Sequence, residues 1–118
     1  MSYYICLLDE NEEVIKLDKP RVMRMGTMQM DGETEAHINI TYNYGQIFRD
    51  TIDKNQGIRW LYGKKAKDTI DALITAMTRL KNDFSEDYWE ATEGNAKLAL
   101  MNLLELAWMY PEGVWDGD

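Results

Sequence analysis

The run GNAKLALMNLLELAWMY, residues 94–110, constrains the fold more than any other stretch. On a helical wheel it is apolar over more than half of its circumference, and a helix of that kind packs at the centre of a core. Pro111 and Gly113 stop it. A second helix is written in AKDTIDALITAMTRL, where Ala66, Ile70, Leu73, Met77 and Leu80 recur at steps of four and three while Lys67, Asp71 and Lys81 mark the solvated side. YGQIFRDTI adds one or two helical turns.

Residues 1–43 have a different period. YYICLL and EVIKL flank DENEE, whose Asp and Asn favour a turn, so residues 3–8 and 13–17 are expected to form a hairpin. Lys19-Pro20 interrupts the pattern because proline lacks a ladder donor. RVMRMGTMQM alternates loosely, Asp31-Gly32 is a strong hairpin signal, and EAHINITYN returns as the next strand. The expectation is a single α+β domain over residues 1–118. An antiparallel sheet of about four strands in a meander (about 3–43) is packed on one face by two to three helices (about 44–110). The residues 114–118, VWDGD, read as a short tail. A chain of 118 residues suits one domain, and 45% hydrophobic residues suffice for a core.

Charge narrows the function classes. Asp and Glu number 21 against 13 Lys and Arg, a net charge of −8, which is the opposite of a nucleic-acid footprint; duplex binding is not expected. Such acidity serves solubility, or imitates nucleic acid before a basic partner protein. With four Trp and seven Tyr, some rings must lie at the surface, where amphipathic rings suit an interface. One cysteine, Cys6, excludes an intramolecular disulfide, and its place in YYICLL marks a buried small hydrophobe. No apolar run reaches the length of a membrane span, and no signal pattern opens the chain; the expected location is the cytoplasm, with no membrane partner.

The sequence offers little catalytic chemistry. One His and one Cys cannot build a structural zinc site unaided, and DENEE lacks the glycine and ligand spacing of a calcium loop, so no metal or cofactor is expected. His37 is the only histidine base, and no GxSxG elbow exists. Carboxylate pairs leave open a carboxylate-dependent enzyme, which is the weaker alternative.

Three stretches remain as candidate binding elements. HINITYNYG, read with period two, places His37, Asn39, Thr41 and Asn43 on one side, opposite Ile38, Ile40, Tyr42 and Tyr44. The apolar side belongs against the helices, and the polar side faces water or a ligand. GIRWLYGKK gathers Arg59, Lys64, Lys65 and Lys67 beside Trp60 and Tyr62 at an expected helix N-terminus, either a solvated basic turn or an anion site. In DYWEATEGNA, Thr92 or Asn95 suits an N-cap, Gly94 permits close backbone approach, and Trp89 beside exposed donors also suits the floor of a small pocket.

NITYN, the A-x3-I-x2-L pattern of the long helix, YWEATEGNA and the closing YPEGVW together resemble small proteins carried by bacteriophages, prophages and mobile elements. The likeness spans about residues 37–115, with TEGNA standing where a Gly-Trp-Gly element is common. It marks Asn39, Thr41, Asn43, Trp89, Thr92, Gly94 and Asn95. It implies a non-catalytic binding protein that occupies a host protein, a defence component among them, or sequesters a nucleotide-like signalling ligand. In the ligand version Asn39, Thr41 and Asn43 read polar edges, Arg59 holds phosphate and Trp89 stacks. A methionine-rich strand, MRMGTMQM, is either adaptable core or an edge that pairs with a second copy.

Overall fold

In the computed structural model, which describes residues 1–118, strand β1 (Ser2–Leu8) is the middle of a three-stranded antiparallel sheet. Its neighbours are β4 (His37–Thr41) and β5 (Val114–Gly117). Tyr3 sits opposite Ile40, Ile5 opposite Ile38 and Leu7 opposite Trp115. Alternation therefore turns Tyr3, Ile5, Leu7, Ile38, Ile40 and Trp115 onto one face, where all are buried. Helices α1 (Gly45–Thr51), α2 (Ile70–Thr78) and α3 (Glu93–Met109) join the same core cluster through Phe48, Leu73, Leu100 and Leu103 among others. As its sequence dictates, α3 is buried on most sides, from Ala96 and Leu100 round to Leu104 and Leu106. Each buried leucine contributes about 1.5–3 kcal/mol. No helix is long and apolar enough to cross a membrane.

The α+β class holds and four of the five strands precede the helices, but the expected four-stranded meander does not form. The Asp9–Glu13 turn forms, held by Asp9 Oδ1, which accepts from the backbone N–H groups of Asn11 (2.8 Å) and Glu13 (3.1 Å). Beyond a single bridge between Leu8 and Val14, however, the chain leaves β1. Strand β2 (Lys16–Arg24) pairs with β3 (Gln29–Glu35) in a separate two-stranded ribbon. The ribbon turns at Met25–Met28, where Met25 N–H donates to the Met28 carbonyl (2.9 Å), not at Asp31-Gly32, which lies inside β3. Gly26 allows that turn, with φ of +123°. Pro20 does act as an interruption: the β2–β3 register shifts between Lys16 and Arg21. MRMGTMQM is thus a strand end, a turn and a strand start.

The fifth strand is a further correction. VWDG is no tail: β5 closes the free side of β1, and Trp115 is fully buried with its indole N–H donating to Thr69 Oγ1 at 2.9 Å. Residues 63–65 cover its other edge, where Gly63 N–H donates to the Trp115 carbonyl and Trp115 N–H to that of Lys64.

Candidate functional site

The polar comb of HINITYNYG is only partly open. Asn39 is exposed on β4, with its Oδ1 3.5 Å from Ser2 Oγ. Thr41, expected on the same open side, is 1% exposed. Its Oγ1 accepts from Asn43 N–H (3.2 Å) and caps the 3-10 turn Tyr42–Tyr44, while its own N–H donates to the Tyr88 hydroxyl at 2.6 Å. Asn43 is exposed, yet its Nδ2 donates to the Trp89 carbonyl at 2.8 Å. Tyr44 O–H donates to the Tyr88 carbonyl. The strand end and its turn therefore serve as a mount for Tyr88 and Trp89. Burial pushes the Tyr88 phenol above its ordinary pKa, partly offset by the bond from Thr41, so the ring stays neutral in its slot.

The segment carrying those rings, residues 81–92, has no regular structure and is tied to the first turn of α3. Thr92 Oγ1 caps the helix by accepting from Asn95 N–H (3.0 Å), and Asp83 Oδ1 accepts from Gly94 N–H (2.9 Å). Asn95, fully buried, accepts from Ser85 N–H at 2.9 Å and donates to the carbonyls of Asp87 and Glu90, each at 3.1 Å. Gly94 is required because a Cβ there would lie 2.8 Å from Phe84 and 2.9 Å from the backbone of Asp83 and Phe84. Thr92, Gly94 and Asn95 thus organise the loop, and the helix donors that an anion would need are occupied from within.

On this platform Trp89 is 54% exposed. Its N–H donates to Asp87 Oδ1 at 3.0 Å, and its ring packs edge-on against Tyr88 with centroids 5.0 Å apart. Asp83, Phe84, Glu86, Asp87 and Glu90 are exposed on the same segment. The result is an exposed indole on a hydrogen-bonded backbone, in a segment rich in exposed carboxylates.

The basic cluster is dispersed. Helix α2 begins only at Ile70, after two 3-10 turns (Gly57–Leu61 and Ala66–Thr69), so these cations do not share a helix N-terminus. The Arg59 guanidinium lies over the rings of Tyr3 (4.9 Å) and Tyr42 (5.6 Å), 4.0 Å from Asp118. Lys64 folds onto half-buried Trp60, its Nζ 4.1 Å from the ring centroid and donating to the Trp60 carbonyl at 2.6 Å. Lys65 and Lys67 reach instead to Glu112, at 3.4 and 2.9 Å.

Other chemistry is sparse. No three side chains among His, Cys, Asp and Glu are grouped to hold a metal ion. Desolvation, then the charge of Asp116, pushes the buried Cys6 thiol above its ordinary pKa, so it is not an activated nucleophile. The largest cleft, about 690 Å³, lies between the Asp9 turn and the end of α3, lined by Ile15, Lys65, Tyr110 and Glu112, and includes no residue of the 81–92 segment. Sequence reasoning does not single out Tyr88 and Asp83 as organisers of the loop; the Asp and Ser residues of DFSEDYW are the one signal for a turn there.

No protein-family model, curated protein or solved structure matches this chain.

Proposed function

We propose that this protein is a small non-catalytic binding protein of phage or prophage type that occupies a basic surface on a host protein, a defence component among the candidates, in the host cytoplasm. One observation carries the reading. Trp89 is more than half exposed, yet both its backbone hydrogen-bonding groups and the face of its neighbour Tyr88 are fixed by the fold. An exposed large ring costs solubility, and one that is also preorganised loses little entropy on binding, which is the profile of an interface anchor. Asp83, Glu86, Asp87 and Glu90 around it select a basic partner and speed its encounter. The likeness of NITYN, YWEATEGNA and YPEGVW to mobile-element proteins supplies the setting.

The nucleotide-ligand alternative draws less support, since Thr41 is buried, Asn43 is engaged by Trp89 and Arg59 is stacked between tyrosines. A carboxylate-dependent enzyme also draws less support: Asp9, Glu10 and Glu112 line the 690 Å³ cleft, but Asp9 is engaged by the backbone of its own turn and Glu112 by Lys65 and Lys67.

The test is affinity purification from bacterial lysate with three proteins. Wild type should retain a stoichiometric basic partner, and Trp89→Ala should lose it, by at least about 2 kcal/mol as for an interface hot spot, with its melting temperature unchanged. Trp108→Ala removes a ring of similar exposure (58%) on α3 and should retain the partner. Equal retention by Trp89→Ala, or equal loss in both variants, refutes the anchor.

A further inference from the structure

The ribbon carries a group of side chains that the proposed function does not use. Met23 lies opposite Met30 in the β2–β3 register, and Met25 and Met28 close the turn two residues beyond each. Period two places all four on one face of the ribbon. Directly opposed residues have Cβ atoms about 4.5–5.5 Å apart, within which long thioether chains converge. All four line one cleft of about 230 Å³, together with Glu33, His37, Ile38 and Asn39. Met23 and Met25 are buried, whereas Met28 and Met30 are 40% and 47% exposed, more than a core side chain and in position to meet solute.

His37 completes the set. Its Nε2 lies 3.4 Å from Glu33 Oε2, and its Nδ1 is buried without a hydrogen-bond partner. A carboxylate beside Nε2 favours the tautomer with the proton on that nitrogen, leaving the Nδ1 lone pair free. That is the arrangement a metal-bound imidazole adopts, with an outer carboxylate fixing the ring. An unpartnered imidazole nitrogen on a residue that lines the same cleft as several polarizable sulfurs is a donor set that suits copper. Thioethers select monovalent copper over zinc, magnesium or calcium.

We propose that the ribbon cleft is a binding site for a soft monovalent cation, Cu(I) or its redox-inert analogue Ag(I), with ligands from Met25, Met28, Met30 and His37 Nδ1. Met23, whose sulfur accepts from Asn102 Nδ2 at 3.4 Å, forms the floor. This site goes beyond the Trp89 surface and does not depend on it. In the sequence, MRMGTMQM suits adaptable core or a pairing edge, and thioethers carry no ligand spacing that would mark a metal site.

Silver(I) titration followed by calorimetry, with methionine methyl resonances as reporters, tests the site. Wild type should bind one equivalent, shift the methyl signals of Met28 and Met30, and ignore zinc(II). The Met28→Leu/Met30→Leu double variant keeps volume and should lose at least tenfold in affinity with its melting temperature in the absence of metal unchanged. His37→Gln should weaken binding to a smaller degree. Cys6, a buried thiol opposite His37 in the β1–β4 register, is the competing soft ligand. Silver affinity unchanged in the double methionine variant, with binding lost only in Cys6→Ser, overturns the proposal, as does the absence of any binding by wild type.

Discussion

The two sheets of this protein are built on opposite plans. In the three-stranded sheet every strand contributes to the core: Ile5 and Leu7 from β1, Ile38 and Ile40 from β4, Trp115 from β5. In the β2–β3 ribbon only Met23 and, at the turn, Met25 are buried side chains, and the pairing is interrupted by register shifts. The ribbon is held instead by polar side chains of α3. Asn102 Oδ1 accepts from Arg24 N–H at 2.8 Å, and Glu105 meets Arg21 at 2.8 Å. A hydrophobic body and a tethered ribbon have different local stabilities, because the ribbon places only Met23, Met25 and half-buried Leu17 against the core while its other side chains are mostly exposed.

Trp115→Ala breaks the body. Removing a fully buried indole leaves a cavity and strips β5 of its anchor, so a loss of about 3–5 kcal/mol is expected. Thermal or denaturant unfolding reads it, and amide exchange should accelerate across β1, β4 and α3 together. Asn102→Ala acts on the ribbon. It leaves the Arg24 N–H without its acceptor at a cost of about 1–3 kcal/mol. Accelerated exchange should be confined to β2 and β3, with the three-stranded sheet unchanged. Uniform acceleration in Asn102→Ala would show that ribbon and body open as one unit.

The same contrast explains what was legible in the sequence. The body was, because its strands and helices carry strong periods: residues 3–8 became Ser2–Leu8, and the apolar run at 94–110 became Glu93–Met109 behind a Thr92 cap. The pairing of strands was not, since neighbouring in sequence made a meander the simplest expectation, while β1 finds its partners at residues 37–41 and 114–117. VWDG has too few residues to show alternation, and only its place beside β1 makes it a strand. The candidate site was half legible. Asn43 and Trp89 do meet, whereas alternation put Thr41 on an open face that Tyr88 covers from a distant part of the chain.

The smallest effect concerns the join between body and chain end. Glu112, in the turn from α3 to β5, is held below its ordinary carboxylate pKa by the hydrogen bond from Lys67, then that from Lys65. Lys67 is raised in turn, chiefly by its bond to Glu112. A carboxylate with a depressed folded pKa stabilises fully above its unfolded value and loses that contribution as pH falls through the folded one. A lysine with a raised pKa keeps its contribution until pH climbs through its folded value. The pair should therefore add a shallow acid-side slope to stability, beginning near the ordinary carboxylate range, and a second at strongly alkaline pH. Both side chains lie in water, so the slopes are small and fade in high salt. Glu112→Gln should flatten the acid slope in pH-dependent melting while leaving the Asn102 tether and the ribbon's exchange untouched. If it also freed the ribbon, the division between body and ribbon would be drawn in the wrong place.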